Sequence, residues 1–292
     1  MRNLLVSGSA AVMAGALTFT AGPMVPSAAA HHAGHASAPS AKFIKEARAA
    51  LVSYLRHNHP TVMLAHHGQT TAGIKGTTKA ASFNWSGYAN TATKNGAFTR
   101  VSASWVTPKI VKCTREDQLT SEWVGLDGFN SNTVEQDGTL DWCFQGKQIY
   151  FTWFEMFPAG TVEVGKTLKP GDHITASVTR KGTSYTLALK DSTHPANSFS
   201  RKKTCAAATC VTTSAEWIAE RPSFSTGIAP LVDFKSWHVT NAKVTKSGKA
   251  GKISTFANSA ITMIDSTETY NLATVSGLTG GNSFTATWKN SY

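Results

Sequence analysis

The chain lacks the residue patterns that most hydrolases carry. It has no Gly-x-Ser-x-Gly elbow and no His-Glu-x-x-His, and its Asp-Ser-Thr runs at Asp191 and Asp265 lack the glycine of an Asp-Thr/Ser-Gly motif. Beyond residue 80 only His173, His194 and His238 remain as histidines, none in a triad-like setting. The four cysteines form no C-x-x-C grouping, so no metal and no cofactor is expected. Acids are few, 17 against 28 Lys+Arg, for a formal charge of +11. The bases are scattered apart from Arg201-Lys-Lys203, which reads as a solvated turn, so no nucleic-acid partner is expected.

Long apolar runs are confined to the start. Met1-Arg2-Asn3, an apolar stretch from Leu4 to about Thr20 and the small residues Ser27-Ala-Ala-Ala30 read as a secretory signal peptide over 1–30. Glycines and Pro23 interrupt that run, which argues against a membrane anchor. The expected product is secreted and extracellular, with no membrane contact after cleavage.

Residues 31–80 differ in composition from the rest of the chain. Seven of the ten histidines fall there, together with Lys42, Lys45, Arg48, Arg56, Lys75, Lys79 and a single acid, Glu46. The spacing of Phe43, Ala47, Leu51 and Tyr54/Leu55 predicts one amphipathic helix over Phe43 to Leu55. Gly68 to Thr78 reads as a flexible linker open to nicking. The whole is expected to be a basic, His-rich pro-segment that masks an acidic cleft near neutral pH. Histidines gain charge in acid, and self-repulsion would then loosen it.

From residue 81 onward, Thr, Ser, Val, Phe and Trp dominate, and turn signals recur at Asn95-Gly96, Lys169-Pro-Gly-Asp172, Arg180-Lys-Gly-Thr183, Lys246-Ser-Gly248 and Gly280-Gly-Asn282. Between them lie short alternating runs such as Thr175–Thr179 and Tyr185–Lys190. This predicts one all-β domain over 81–292, a sandwich or a barrel. Four cysteines in an exported chain predict two disulfides. Cys205 and Cys210 flank a small-residue tip and make the simplest bridge, which leaves Cys113 with Cys143.

Alternation along strands places Phe151, Trp153, Glu155 and Phe157 on one face, and Glu216, Ile218 and Glu220 on one face with Trp217 opposite. Carboxyls among aromatics lose hydration, which favours the protonated form and suits acid–base work in acid.

Five segments carry a family likeness: Asn84-Trp-Ser-Gly-Tyr88, Trp123-Val-Gly-Leu-Asp-Gly128, Thr133-Val-Glu-Gln136, Tyr150 to Pro158, and Ser214-Ala-Glu-Trp-Ile-Ala-Glu220. Over roughly residues 82 to 245 the chain resembles the glutamic peptidases, the eqolisins of peptidase family G1. The resemblance implies a lectin-like sandwich of two antiparallel sheets and a secreted, acid-acting, pepstatin-insensitive endopeptidase made as a precursor. It implies Glu216 as the acid–base, Gln136 as the oxyanion donor, and Trp85, Trp123, Asp127, Trp153 and Glu155 as supporting or cleft residues. Polypeptides would be its substrates, its own pro-segment an intramolecular inhibitor, and a monomer its state. One position departs from the family, which commonly has an acid four residues after the glutamine. Leu140 stands there, so either a register shift lets Asp141 serve or that contact is missing.

Two other readings stay open on the residues alone. A lectin-like sandwich with exposed tryptophans could bind carbohydrate without catalysis. Glu155 and Glu216 could instead be the two carboxylates of a glycoside hydrolase.

Overall fold

In the computed structural model, residues 40–57, 71–72, 76–114, 117–165, 168–224 and 227–291 are described. The stretch expected to be a signal peptide and most of the His-rich stretch lie outside them. No helix among the described residues is long and apolar enough to cross a membrane.

A helix, α1 (Ala41–His57), leads into β1 (Thr71–Ala72), β2 (Thr77–Ser82), β3 (Trp85–Thr91) and β4 (Phe98–Val106). The chain continues through β5 (Leu119–Leu126), β6 (Val134–Phe144), β7 (Lys147–Phe157) and β8 (Ala159–Glu163). Then come β9 (His173–Lys181), β10 (Ser184–Asp191), β11 (Phe199–Thr204) and β12 (Ser214–Glu220). The short pair β13 (Ser223–Phe224) and β14 (Gly227–Ile228) precedes β15 (Ser236–Lys246) and β16 (Lys249–Gly251). The last strands are β17 (Asn258–Ile264), β18 (Asn271–Val275) and β19 (Phe284–Trp288).

Two layers result, as the alternating pattern predicts. The first sheet runs β1–β2–β17–β3–β12–β5–β6–β7–β8, antiparallel except where β2 lies parallel to β17. The second runs β11–β10–β9–β4–β15–β16. β15 serves both layers, pairing with β19 through Ser236–Val239 and with β4 from Thr240 onward, across an irregularity between Thr240 and Lys243. Extra residues at such a point bend a strand and let it change sheets.

The alternation sorts the large side chains into two cores. Between the sheets lie Trp105, Trp217, Trp237, Phe98 and Phe284, with Trp105 and Trp237 edge to face at 5.6 Å. Each buried aromatic removes about 150–250 Å² from water, roughly 4–6 kcal/mol before ordering costs. On the other face of the first sheet Trp85, Trp123, Trp142, Phe151, Trp153 and Ile218 form a second cluster. Both expected face assignments therefore hold, with Phe151 and Trp153 together and Ile218 opposite Trp217.

The five recurring turn signals each lie between strands, Arg180 to Thr183 as a hairpin between β9 and β10, whereas Arg201-Lys-Lys203, expected as a solvated turn, is an exposed part of strand β11 paired with β10. Both disulfides form as expected, Cys113–Cys143 and Cys205–Cys210. The domain boundary expected at 81 falls inside β2, whose Thr77 and Thr78 pair with Asn258 and Ser259. The end of the expected linker is thus the start of a strand, held by a parallel partner some 180 residues away that no local sequence signal announces.

Candidate active site

Strands β12, β5, β6 and β7 lie side by side, and their register sets Glu216 opposite Gly125, Gly125 opposite Gln136, and Gln136 opposite Glu155. Directly paired residues of an antiparallel sheet point to one face. A straight row results, carboxyl, bare backbone, carboxamide, carboxyl. Two strand intervals, about 9.6 Å at the Cα atoms, separate Glu216 from Gln136. Gly125 keeps the space between them open, because a Cβ there would stand 2.8 Å from the Trp123 ring and 3.2 Å from the Gln136 Cβ.

All three polar side chains of the row are buried. Gln136 donates from Nε2 to Glu155 Oε2 at 2.6 Å, and Thr161 donates to Glu155 Oε1 at 2.7 Å. The Gln136 amide oxygen has no donor among the described residues. Burial pushes Glu155 up to about 8, against the opposing hydrogen bonds from Thr161 and Gln136. Burial likewise raises Glu216 well above the usual carboxyl range; the Ser214 hydroxyl opposes this, and the nearby Asp127 and Glu135 add to it.

The next row along the same face is Ile218, Trp123, Gly138, Trp153, Glu163. Trp85 stands edge to face on Trp123 at 4.9 Å. Glu220, on the same face as Glu216 one turn of the pleat beyond Ile218, accepts from Trp123 Nε1 at 2.8 Å and from Asn84 Nδ2 at 3.4 Å. Sequence reasoning placed Glu220 on this face without giving it a task. Its spacing of four from Glu216 was the available signal, and the indole partner was not legible.

Asp127 sits at the end of β5 with φ +69° and accepts from the Thr212 and Thr213 main-chain N–H groups at 2.6 and 2.9 Å. It fastens the loop that delivers Glu216 into β12. Asp141 is a correction. β6 and β7 pair without a shift from Val134 to Phe144, so Asp141, five residues from Gln136, points to the opposite, interior face. There it is buried near Glu122, whose charge adds to the rise that burial imposes on it. Leu140 occupies the site face, in the aromatic cluster. The register shift that would bring Asp141 to the site does not occur.

Helix α1 packs onto this same face. Ala47 is fully buried in the aromatic cluster, with Phe43 and Ala50 against it. Arg48 is paired with Glu163, its Nε donating at 2.9 Å, and lies 6.0 Å from the Phe151 ring. Phe43 meets Phe144 at 5.7 Å, and the Lys147 ammonium sits over Phe43 at 4.5 Å. The helix spans Ala41–His57, slightly longer than the periodicity predicts.

Elsewhere the fold assembles Asp172, Asp191 and His194. Each carboxylate oxygen there already has a partner: Lys169 N and His194 Nδ1 on Asp172, and Thr193 N, His194 N and Asn197 Nδ2 on Asp191. The group ties loops together.

A carboxyl on β12 and a carboxamide on β6, two strand intervals apart on an aromatic face of a β-sandwich, have the composition of an acid–amide hydrolase site. The chain belongs to the Peptidase A4 family, whose sequence model matches residues 83–288. It is a peptidase, acting on polypeptides, and the resemblance to glutamic peptidases holds. Aspergillopepsin-2 of Aspergillus niger is 25% identical over 264 residues, covering 81% of this chain and 87% of that one. Among solved structures, scytalido-glutamic peptidase with a transition state analog inhibitor superposes with a TM-score of 0.60 at 22% identity, over 70% of this chain and 98% of that one. The aspergilloglutamic peptidase from Aspergillus niger gives 0.51 at 25% identity, over 59% and 99%. The carbohydrate-binding and glycosidase readings are not favoured. Glu155 and Glu216 lie three strand intervals apart, about 14 Å at the Cα atoms, with Gln136 between them.

Proposed function

We propose that the chain is the precursor of a secreted, acid-acting glutamic endopeptidase in which Glu216 and Gln136 are the catalytic pair. The observation that carries this is the row Glu216–Gly125–Gln136–Glu155. Ionised Glu216 takes a proton from a water as its oxygen adds to the scissile carbonyl carbon. The second Nε2 hydrogen of Gln136, the one not given to Glu155, donates to the oxyanion that forms. Glu216 then returns the proton to the amine nitrogen, the C–N bond breaks, and a carboxylic acid and an amine leave. The Gln136 amide oxygen is a preset acceptor for the attacking water. A carboxamide stays neutral at any pH, so its donors survive in strong acid.

Helix α1 is the inhibitory part of the pro-segment. It fills the aromatic face with Ala47 and anchors by Arg48 to Glu163, on the row next to the catalytic one. Burial also shifts Glu216 towards its protonated form, which cannot act as base. Removing α1 would admit both substrate and water to this face. The solved relative's chain matches 70% of this one, and the family match starts at residue 83, which fits removal of the preceding part. Trp85, Trp123 and Trp153 wall the cleft and favour bulky substrate side chains. The enzyme works as a monomer.

The test is incubation of the full chain at about pH 3–4 with pepstatin and an unfolded protein substrate, beside Glu216→Gln and Gln136→Ala. Wild type should fragment the substrate and shorten itself. Glu216→Gln should be inactive, and Gln136→Ala should lose about 10²- to 10³-fold. Turnover of Gln136→Ala within about threefold of wild type would sink the assignment.

A further inference from the structure

The two sheets differ sharply in charge. The five central strands of the first, β3, β5, β6, β7 and β12, hold seven acids and one Lys. β4, β9, β10, β11 and β15 hold nine Lys or Arg, two His and one acid, Asp191, which is buried. The solvent face of the second sheet is therefore free of acids along these strands.

Its outward residues fall into straight cross-strand rows. Lys190, Thr175, Ser104 and Thr240 pair in sequence across β10, β9, β4 and β15. Lys243, Ser102 and Ser177 form the next row, and Lys202, Thr186, Thr179 and Arg100 another. Each row carries hydroxyls on strands about 4.8 Å apart, Ser104 and Thr175 being hydrogen-bonded to each other at 2.9 Å, with a cation at one or both ends. At one edge His173 and His238, both exposed, flank a groove of about 340 Å³ that Ser104, Thr175 and Thr240 also line.

We propose that this face is a docking surface for an anionic polysaccharide, one bearing carboxylate or sulfate groups, on the side of the sandwich away from the dyad. Charge complementarity selects the partner's sign, since no acid among the strands opposes it. The hydroxyl rows select a glycan, whose own hydroxyls match donors and acceptors spaced along the sheet. Single-stranded nucleic acid needs aromatic platforms for its bases, and the only large apolar side chain exposed here is Val106. Burial shifts the acids of the first sheet towards their protonated forms, so in acid they contribute little opposing field. The arrangement would hold the peptidase on an anionic matrix with its cleft free.

The experiment measures binding of the full chain to immobilised polygalacturonate, to neutral dextran and to oligo-dT at about 0.05 M salt, where charges act over more than 10 Å. Wild type should bind polygalacturonate in preference to dextran and oligo-dT, and elute below about 1 M salt. Lys190→Glu/Lys202→Glu/Lys243→Glu should bind at least about tenfold more weakly while cleaving a small neutral peptide at the wild-type rate, which also shows that it folds. Lys79→Glu/Lys112→Glu/Lys289→Glu, with the same net charge, should bind as wild type does. As a check needing no variant, bound polygalacturonate should protect Lys190, Lys202 and Lys243 from acetylation. Equal loss in both triple variants, equal or tighter binding to oligo-dT, or no retention by wild type would each overturn the proposal.

Discussion

Gln136 and Glu155, partners across β6 and β7, share a 2.6 Å hydrogen bond in which the amide donates to the carboxyl. That contact fixes which hydrogen of Gln136 remains for chemistry, because an amide held at one N–H has its other N–H direction set as well. In the proposed mechanism Glu155 is thus a positioning residue for Gln136.

Glu155→Ala should free the Gln136 side chain to rotate and lower kcat by about 10- to 100-fold with little change in KM. Glu155→Gln, which keeps an acceptor oxygen, should recover most of that loss. Steady-state kinetics on one peptide, with both variants, separates positioning from a loss of fold. Equal activity of the Ala variant and wild type would remove Glu155 from this role.

Asp141 and Glu122 belong to stability. Burial pushes Glu122 up to about 8, and Asp141 is raised in the same direction. A carboxyl whose folded value lies above its unfolded one stabilises fully below the unfolded value, near 4, and loses that contribution as pH rises toward 8. The protein should therefore have its highest Tm in acid and unfold progressively between about pH 5 and 8. Asp141→Asn should leave kcat within about twofold and move the upper unfolding midpoint to higher pH by circular dichroism. A loss of activity above about tenfold would return Asp141 to the site.

Glu220 holds the Trp123 indole, and through Trp123 the edge-to-face Trp85. Glu220→Gln keeps an acceptor and should behave nearly as wild type. Glu220→Ala orphans the indole N–H, at a cost of about 1–3 kcal/mol, and should raise KM several-fold for substrates with a bulky side chain while sparing small ones.

Arg48 and Glu163 form the polar anchor of α1. Arg48→Ala removes the Arg48 cation from Glu163, at a cost below the roughly 3–5 kcal/mol of a fully buried pair, because Arg48 is 24% exposed. The unprocessed chain should then show about tenfold more activity on a short peptide, together with faster nicking of its N-terminal part. Unchanged latency would place the inhibitory contact elsewhere.

Much of this was legible in the chain. Alternation alone put Phe151 with Trp153 and Ile218 opposite Trp217, and it also implies that Asp141 and Gln136, an odd number of residues apart, face opposite ways unless a bulge intervenes. Only the observed register excludes the bulge. The parallel pairing of β2 with β17 stayed hidden, because strands of such distant origin meet through tertiary packing and carry no turn between them. Hidden too was the seat of α1: periodicity gives a helix its apolar stripe but not the surface it covers.

Gly125 has a consequence for how this molecule tolerates its own working conditions. Glu216 and Gln136 are spaced by main-chain hydrogen bonds of two adjacent strand pairs, with a glycine as the spacer. Amide N–H and C=O groups do not ionise, so the ruler that sets the distance between the two proposed catalytic groups reads the same across the acid range in which the fold holds, while every side-chain clamp built on an ion pair would loosen as its carboxylate protonates.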